Sequence, residues 1–160
     1  MTARKLLFAL FMLVLCAGFS ATAQQSVETP VRWRLIVKPS ADGKSGELTV
    51  KALITPGWHL YGLELPAGGP KATSFDFAGS TGVEFTDELK PERAALKVED
   101  AMFNMTLSWW DANVQFKRSF RILDPDNAVI KCKVSYMTCD GESCRPPKSE
   151  NFVYTYKPKK

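Results

Sequence analysis

Val31-Arg32-Trp33-Arg34-Leu35-Ile36-Val37-Lys38 sets Val31, Trp33, Leu35 and Val37 against Arg32, Arg34, Ile36 and Lys38 along an extended chain. Period two marks a half-buried strand, because successive side chains of an extended backbone point to opposite faces. The next eight residues, Pro39-Ser40-Ala41-Asp42-Gly43-Lys44-Ser45-Gly46, are turn formers. Leu48, Val50, Ala52 and Ile54 then alternate with Glu47, Thr49, Lys51 and Leu53. The two runs read as a β-hairpin with a long loop.

The pattern continues downstream. Thr55-Pro56-Gly57 breaks the second strand, and Trp58-His59-Leu60-Tyr61 follows as a short aromatic stretch. Leu65 to Lys71 is a loop rich in Gly and Pro, and short strands are expected near Ser74–Phe77 and Val83–Phe85. Met105, Leu107 and Trp109 share one face of a later strand; Val114, Phe116, Phe120 and Ile122 share a face of the next. After the turn Asp124-Pro125-Asp126-Asn127, Ile130, Cys132, Val134 and Tyr136 alternate with Lys131, Lys133 and Ser135. Phe152, Tyr154 and Tyr156 form the last alternating set. Helical periodicity is absent except for a turn or two between Glu88 and Lys97, which Pro91 interrupts. Strands separated by turn signals about every ten residues predict an all-β, antiparallel two-sheet sandwich.

Upstream, Arg4 and Lys5 precede the apolar run Leu6–Cys16, and Ala21-Thr22-Ala23 is a small-x-small cleavage signal. The run is well short of the ~20 residues of a spanning helix. Residues 1–23 are therefore read as a secretory signal peptide and 24–160 as a single domain that does not span a membrane after cleavage. With 45% hydrophobic and 24% charged residues, the 160-residue chain is neither collagen-like, coiled-coil nor extensively disordered. Removing Arg4 and Lys5 lowers 21 basic residues to 19 against 17 acidic, a net charge of +2. No Lys/Arg cluster marks one face, so nucleic acid is not an expected partner.

Export makes disulfides chemically permissible. Cys16 leaves with the signal peptide, and Cys132, Cys139 and Cys144 remain. Cys132 falls on the apolar side of its strand and reads as a buried thiol behaving as a small hydrophobe. Cys139 and Cys144 flank a Gly-containing turn in Tyr136-Met137-Thr138-Cys139-Asp140-Gly141-Glu142-Ser143-Cys144-Arg145-Pro146-Pro147. A staple across so small a ring removes little chain entropy, about 2 kcal/mol against about 3 for fifteen residues. Arg145 directly after Cys144 would favour its thiolate, whereas Asp140 and Glu142 act the other way near Cys139. Unequal sulfurs suit exchange, and Pro146 and Pro147 keep the exit out of a regular ladder. The residues alone balance redox exchange evenly against stapling. Metal binding is a third reading, but a closed zinc site needs four ligands and His59 is the only histidine. His59, beside Trp58, reads as a packed or surface residue. No metal or other cofactor is expected.

The Cys-x4-Cys-x-Pro-Pro segment resembles the N-terminal periplasmic domain of DsbD-type thiol–disulfide interchange proteins. Pro56-Gly57-Trp58-His59-Leu60-Tyr61 and Gly68-Gly69-Pro70 are similar to stretches these domains carry between strands. The likeness runs from about Trp33 to Tyr156. It implies an immunoglobulin-like sandwich, located in the periplasm, whose cysteine pair cycles between dithiol and disulfide. It further implies a membrane thiol reductase as electron donor and periplasmic thioredoxin-fold proteins as partners. Cys144 would form the mixed disulfide and Cys139 would resolve it. The family's aromatic-tipped cap loop matches Glu99-Asp100-Ala101-Met102-Phe103, with Phe103 as the shield and Tyr61 also controlling access. Arg145 and Pro146 would flank the sulfurs on the partner side. The chain carries only Lys157–Lys160 after Tyr156, so the expectation is a stand-alone relay. The competing expectation is a non-catalytic immunoglobulin-like module that binds protein or peptide on a sheet edge, with a structural disulfide. A smaller one is copper handling by the same two sulfurs.

Overall fold

The computed structural model describes residues 29–158; the expected signal peptide, residues 1–23, lies outside the described residues. Eleven strands and no helix occur among the described residues. The opening hairpin is present as β1 (Val31–Pro39) and β2 (Ser45–Ile54), paired antiparallel from Val31↔Ile54 to Pro39↔Gly46. Its loop is tied down by Asp42, which accepts the Lys44 N–H at 3.0 Å, while the Ser40 N–H donates to the Ser45 carbonyl.

The remaining strands are β3 (His59–Tyr61), β4 (Ser74–Asp76), β5 (Val83–Phe85), β6 (Lys90–Pro91), β7 (Leu96–Asp100), β8 (Met105–Trp110), β9 (Val114–Ile122), β10 (Val129–Cys139) and β11 (Cys144–Thr155). One sheet has the order β1-β2-β9-β5, with β6 also on β9; the other runs β11-β10-β3-β8-β7, with β4 also on β10. All strand pairings are antiparallel. The expected two-sheet antiparallel sandwich is the fold.

The turn or two of helix allowed between Glu88 and Lys97 does not form. Lys90–Pro91 bridges to β9, and Leu96 begins β7, so the segment crosses from one sheet to the other. Pro91 breaks helical hydrogen bonding, and the edge of β9 offers partners that a short helix would forgo. The Glu92 N–H donates to the Gln115 carbonyl at 2.8 Å, and the Gln115 N–H donates to Glu92 Oε1 at 3.1 Å.

Between the sheets, Trp33 meets Tyr136 at 5.3 Å and Phe116 meets Trp110 edge-on at 5.2 Å, measured between ring centroids. Val50, Leu60, Ile130, Cys132 and Val134 fill the same layer. Burial pushes the Cys132 thiol up to about 12, with the Asp76 carboxylate adding to the effect, so it stays protonated and inert. Strand alternation puts a second apolar set on the outer face of the β10 sheet. Leu60 pairs with Trp110, facing inward, whereas Tyr61 pairs with Trp109, facing outward. The expected face of Met105, Leu107 and Trp109 is this outer one.

Candidate functional site

Cys139 and Cys144 are joined as a disulfide, with Cα atoms 4.1 Å apart and directly paired at the end of the β10–β11 hairpin. The turn between them is closed by the Asp140 N–H donating to the Ser143 carbonyl at 3.1 Å. Asp140 Oδ1 accepts the N–H groups of Glu142 at 3.0 Å and Ser143 at 2.8 Å. Those amides, that of Ser143 foremost, hold the Asp140 carboxyl below the usual carboxylate range. Gly141 takes φ +92°, a conformation that disfavours any side chain at the tip.

The two sulfurs are unequal. Cys139 is 1% exposed, whereas Cys144 is half-buried. The Tyr61 hydroxyl lies 3.1 Å from Cys139 Sγ, 4.0 Å from Cys144 Sγ and 3.5 Å from Asp100 Oδ2. Tyr61 is fully buried, and burial first, then the Asp100 carboxylate, push its phenol up. It therefore stays protonated and able to donate to sulfur. β3 is brought there by the close packing of Gly62, whose N–H donates to the Ser108 carbonyl at 2.7 Å. A Cβ on Gly62 would collide with the Ser108 side chain.

The cap expected from Glu99 to Phe103 is the tip of the β7–β8 hairpin, and it sits over the pair. Asp100 Oδ1 accepts the N–H groups of Met102 at 2.8 Å and Phe103 at 2.9 Å. Asn104 closes the tip at φ 51°, a left-handed conformation that Asn tolerates. Both tips flanking the disulfide thus use an aspartate to bind two following amides. Phe103 packs edge-on against Tyr61 at 6.2 Å between ring centroids. The side chain in contact with Cys144 is Met102, with Sδ 3.3 Å from Sγ; because a disulfide sulfur carries no proton, this is sulfur–sulfur packing. Met102 remains 45% exposed.

Between the two tips lies a cleft of about 360 Å³ lined by His59, Tyr61, Asp100, Met102, Trp109, Cys139 and Gly141, among others. His59 pairs across the sheet with Cys139, stacks on Trp109 at 4.2 Å and meets Tyr61 edge-on at 5.0 Å. Its Nε2 is buried without a hydrogen-bond partner. Burial lowers its pKa, more strongly than Asp100, Asp140 and Asp111 raise it.

Cys139, Cys144, Tyr61 and Phe103 are therefore brought together. Arg145 is not part of that group. Alternation along β11 turns it to the face opposite Cys144, and its guanidinium lies 5.3 Å from the Trp58 ring centroid. Pro146 follows at the irregularity where the β10–β11 register shifts between Tyr136 and Thr138, and is exposed. Sequence reasoning singled out neither Met102 as the contact to Cys144 nor Asp100 as the anchor of the cap. The available signal for Asp100 was an acidic residue opening a short tip between two strands.

The model of the family described as thiol:disulfide interchange protein DsbD, N-terminal, matches residues 26–155. No curated protein matches the chain. Among solved structures, the chain is similar to the Neisseria meningitidis DsbD N-terminal domain in the reduced form. The TM-score is 0.56 at 14% identity, over 84% of this chain and 92% of that one. At this identity the likeness is one of fold.

Proposed function

This chain belongs to the DsbD N-terminal family, and on that premise we propose that it is an exported thiol–disulfide exchange domain working through Cys139 and Cys144. The observation that carries the reading is the inequality of the pair: Cys144 half-buried beside the Met102 thioether, Cys139 buried under a phenol donor 3.1 Å away. A partner thiolate attacks Cys144 Sγ in line with the disulfide. The Cys139–Cys144 bond breaks, and Cys139 leaves as a thiolate that accepts the Tyr61 hydrogen bond. The partner's second thiol then resolves the mixed disulfide, leaving the partner oxidised and this pair reduced. In the reverse direction, the Cys144 thiolate attacks an oxidised partner and Cys139 resolves.

The partners are dithiol proteins: a membrane thiol reductase as donor and thioredoxin-fold proteins of the periplasm as acceptors. Residues 1–23 are the export signal. Met102, Phe103 and Tyr61 restrict access to the sulfurs, while Arg145 and Pro146 contribute to the surrounding partner surface. Arg145 does so by shape and charge at the rim, since its guanidinium is directed to Trp58.

The test is trapping. A Cys139→Ala variant is expected to accumulate mixed disulfides through Cys144 with thioredoxin-fold proteins. Absence of any trapped species, together with a reduction potential below about −300 mV, would instead identify a structural disulfide.

A further inference from the structure

The sulfur at this site is not confined to the disulfide. Met102 Sδ, 3.3 Å from Cys144 Sγ, arrives from a different hairpin from the two cysteines. Three sulfur donors from two hairpin tips thus meet beside one cleft, which Met102 and Cys139 line. Their surroundings are apolar, with Leu107, Phe103 and Met105 packed around Cys139 and Tyr61. The nearby oxygens are already engaged: Asp100 Oδ1 holds two amides, and its Oδ2 faces the Tyr61 hydroxyl. Among the described residues, no set of three or more His, Cys, Asp or Glu side chains gathers as a metal site, so a third donor has to be the thioether.

Two thiolates and a thioether are soft ligands, the type that selects Cu(I) over the hard cations, and zinc would require a fourth ligand. We propose that the reduced protein binds one Cu(I) ion through Cys139, Cys144 and Met102. A dithiol reductant first opens the disulfide and supplies two thiols. Cu(I) then displaces their two protons to solvent, forming two copper–thiolate bonds with no change in the metal's oxidation state. Metal and disulfide therefore compete for the same two sulfurs. Binding requires that the pair can be reduced, whatever the reducing partner.

The experiment uses the mature protein, reduced anaerobically, freed of reductant and titrated against the Cu(I)–bathocuproine disulfonate complex. The expected result is withdrawal of one equivalent of copper by the reduced protein and none by the oxidised protein. Met102→Leu is expected to weaken retention by at least about tenfold, the scale of losing a group that supports a metal site. The Cys139→Ser, Cys144→Ser double variant should retain none; copper held by it would place the metal on ligands other than this pair and overturn the proposal. So would a Met102→Leu protein that binds as tightly as the parent. A preparation with both thiols confirmed free that takes no copper overturns the copper site and leaves exchange standing. A pair that resists reduction counts against both.

Discussion

Two apolar clusters lie on opposite faces of the β10 sheet, and they differ in scale. The inner one gathers sixteen buried residues between the sheets; the outer one has three, Tyr61, Leu107 and Cys139, with partly buried neighbours. β10 serves both, sending Ile130, Cys132, Val134 and Tyr136 inward and Cys139 outward. The contrast teaches that stability and chemistry are separated by the thickness of one sheet. Opening the disulfide is expected to change the small cluster and leave the large one packed.

The comparison breaks most visibly if the core is not where stability resides. Phe116→Ala removes a fully buried ring that contacts Trp33, Phe75 and Trp110, and is expected to cost about 3–5 kcal/mol in chemical denaturation. Replacing both Cys139 and Cys144 by Ala should cost less, about 2 kcal/mol, the chain-entropy value for so short a ring. A loss as large as that of Phe116→Ala would mean the outer cluster is a second core.

Tyr61→Phe sharpens the contrast further. It keeps the ring and deletes the donor to Cys139, so stability should fall by about 1 kcal/mol. Reduction by dithiothreitol should slow about fivefold, the same energy expressed as a rate. An unchanged rate would remove Tyr61 from the exchange chemistry. The smallest effect concerns pH. Burial lowers the folded-state pKa of His59 below its ordinary 6.5, so the unfolded chain binds the proton more readily. Stability from this group is complete above pH 6.5 and declines as pH falls below it, through the folded-state value. His59→Gln should flatten that part of a stability–pH curve, and an unaltered curve would count against this role.

Most of the architecture was legible because alternation is a strong signal wherever one sheet face is buried. The hairpin from Val31 to Ile54 and the inward set of β10 follow directly from it. Lys90–Pro91 was not legible, since a two-residue strand has no period and is created by the available edge of β9. At the site, the spacing of Cys139 and Cys144 singled out the pair. Arg145 illustrates the limit: adjacency in sequence suggests adjacency in space, yet in a strand it places neighbours on opposite faces. Met102 could not be told from Phe103, because which residue of a hairpin tip lies over a sulfur depends on how Asp100 folds the tip.

Pro146 and Pro147 have a consequence for how a partner can approach. β11 is the edge of its sheet, and successive residues of a strand aim their backbone groups alternately toward the neighbour and away from it. Pro146 and Pro147 both lack an N–H, so neither offers a donor to a guest strand at this irregular stretch, next to the end that carries Cys144. A guest strand cannot zip along that border in register with the disulfide. The expected mode of capture at this end of the domain is end-on contact of a protruding thiol, with a peptide seeking a continuous backbone ladder disfavoured.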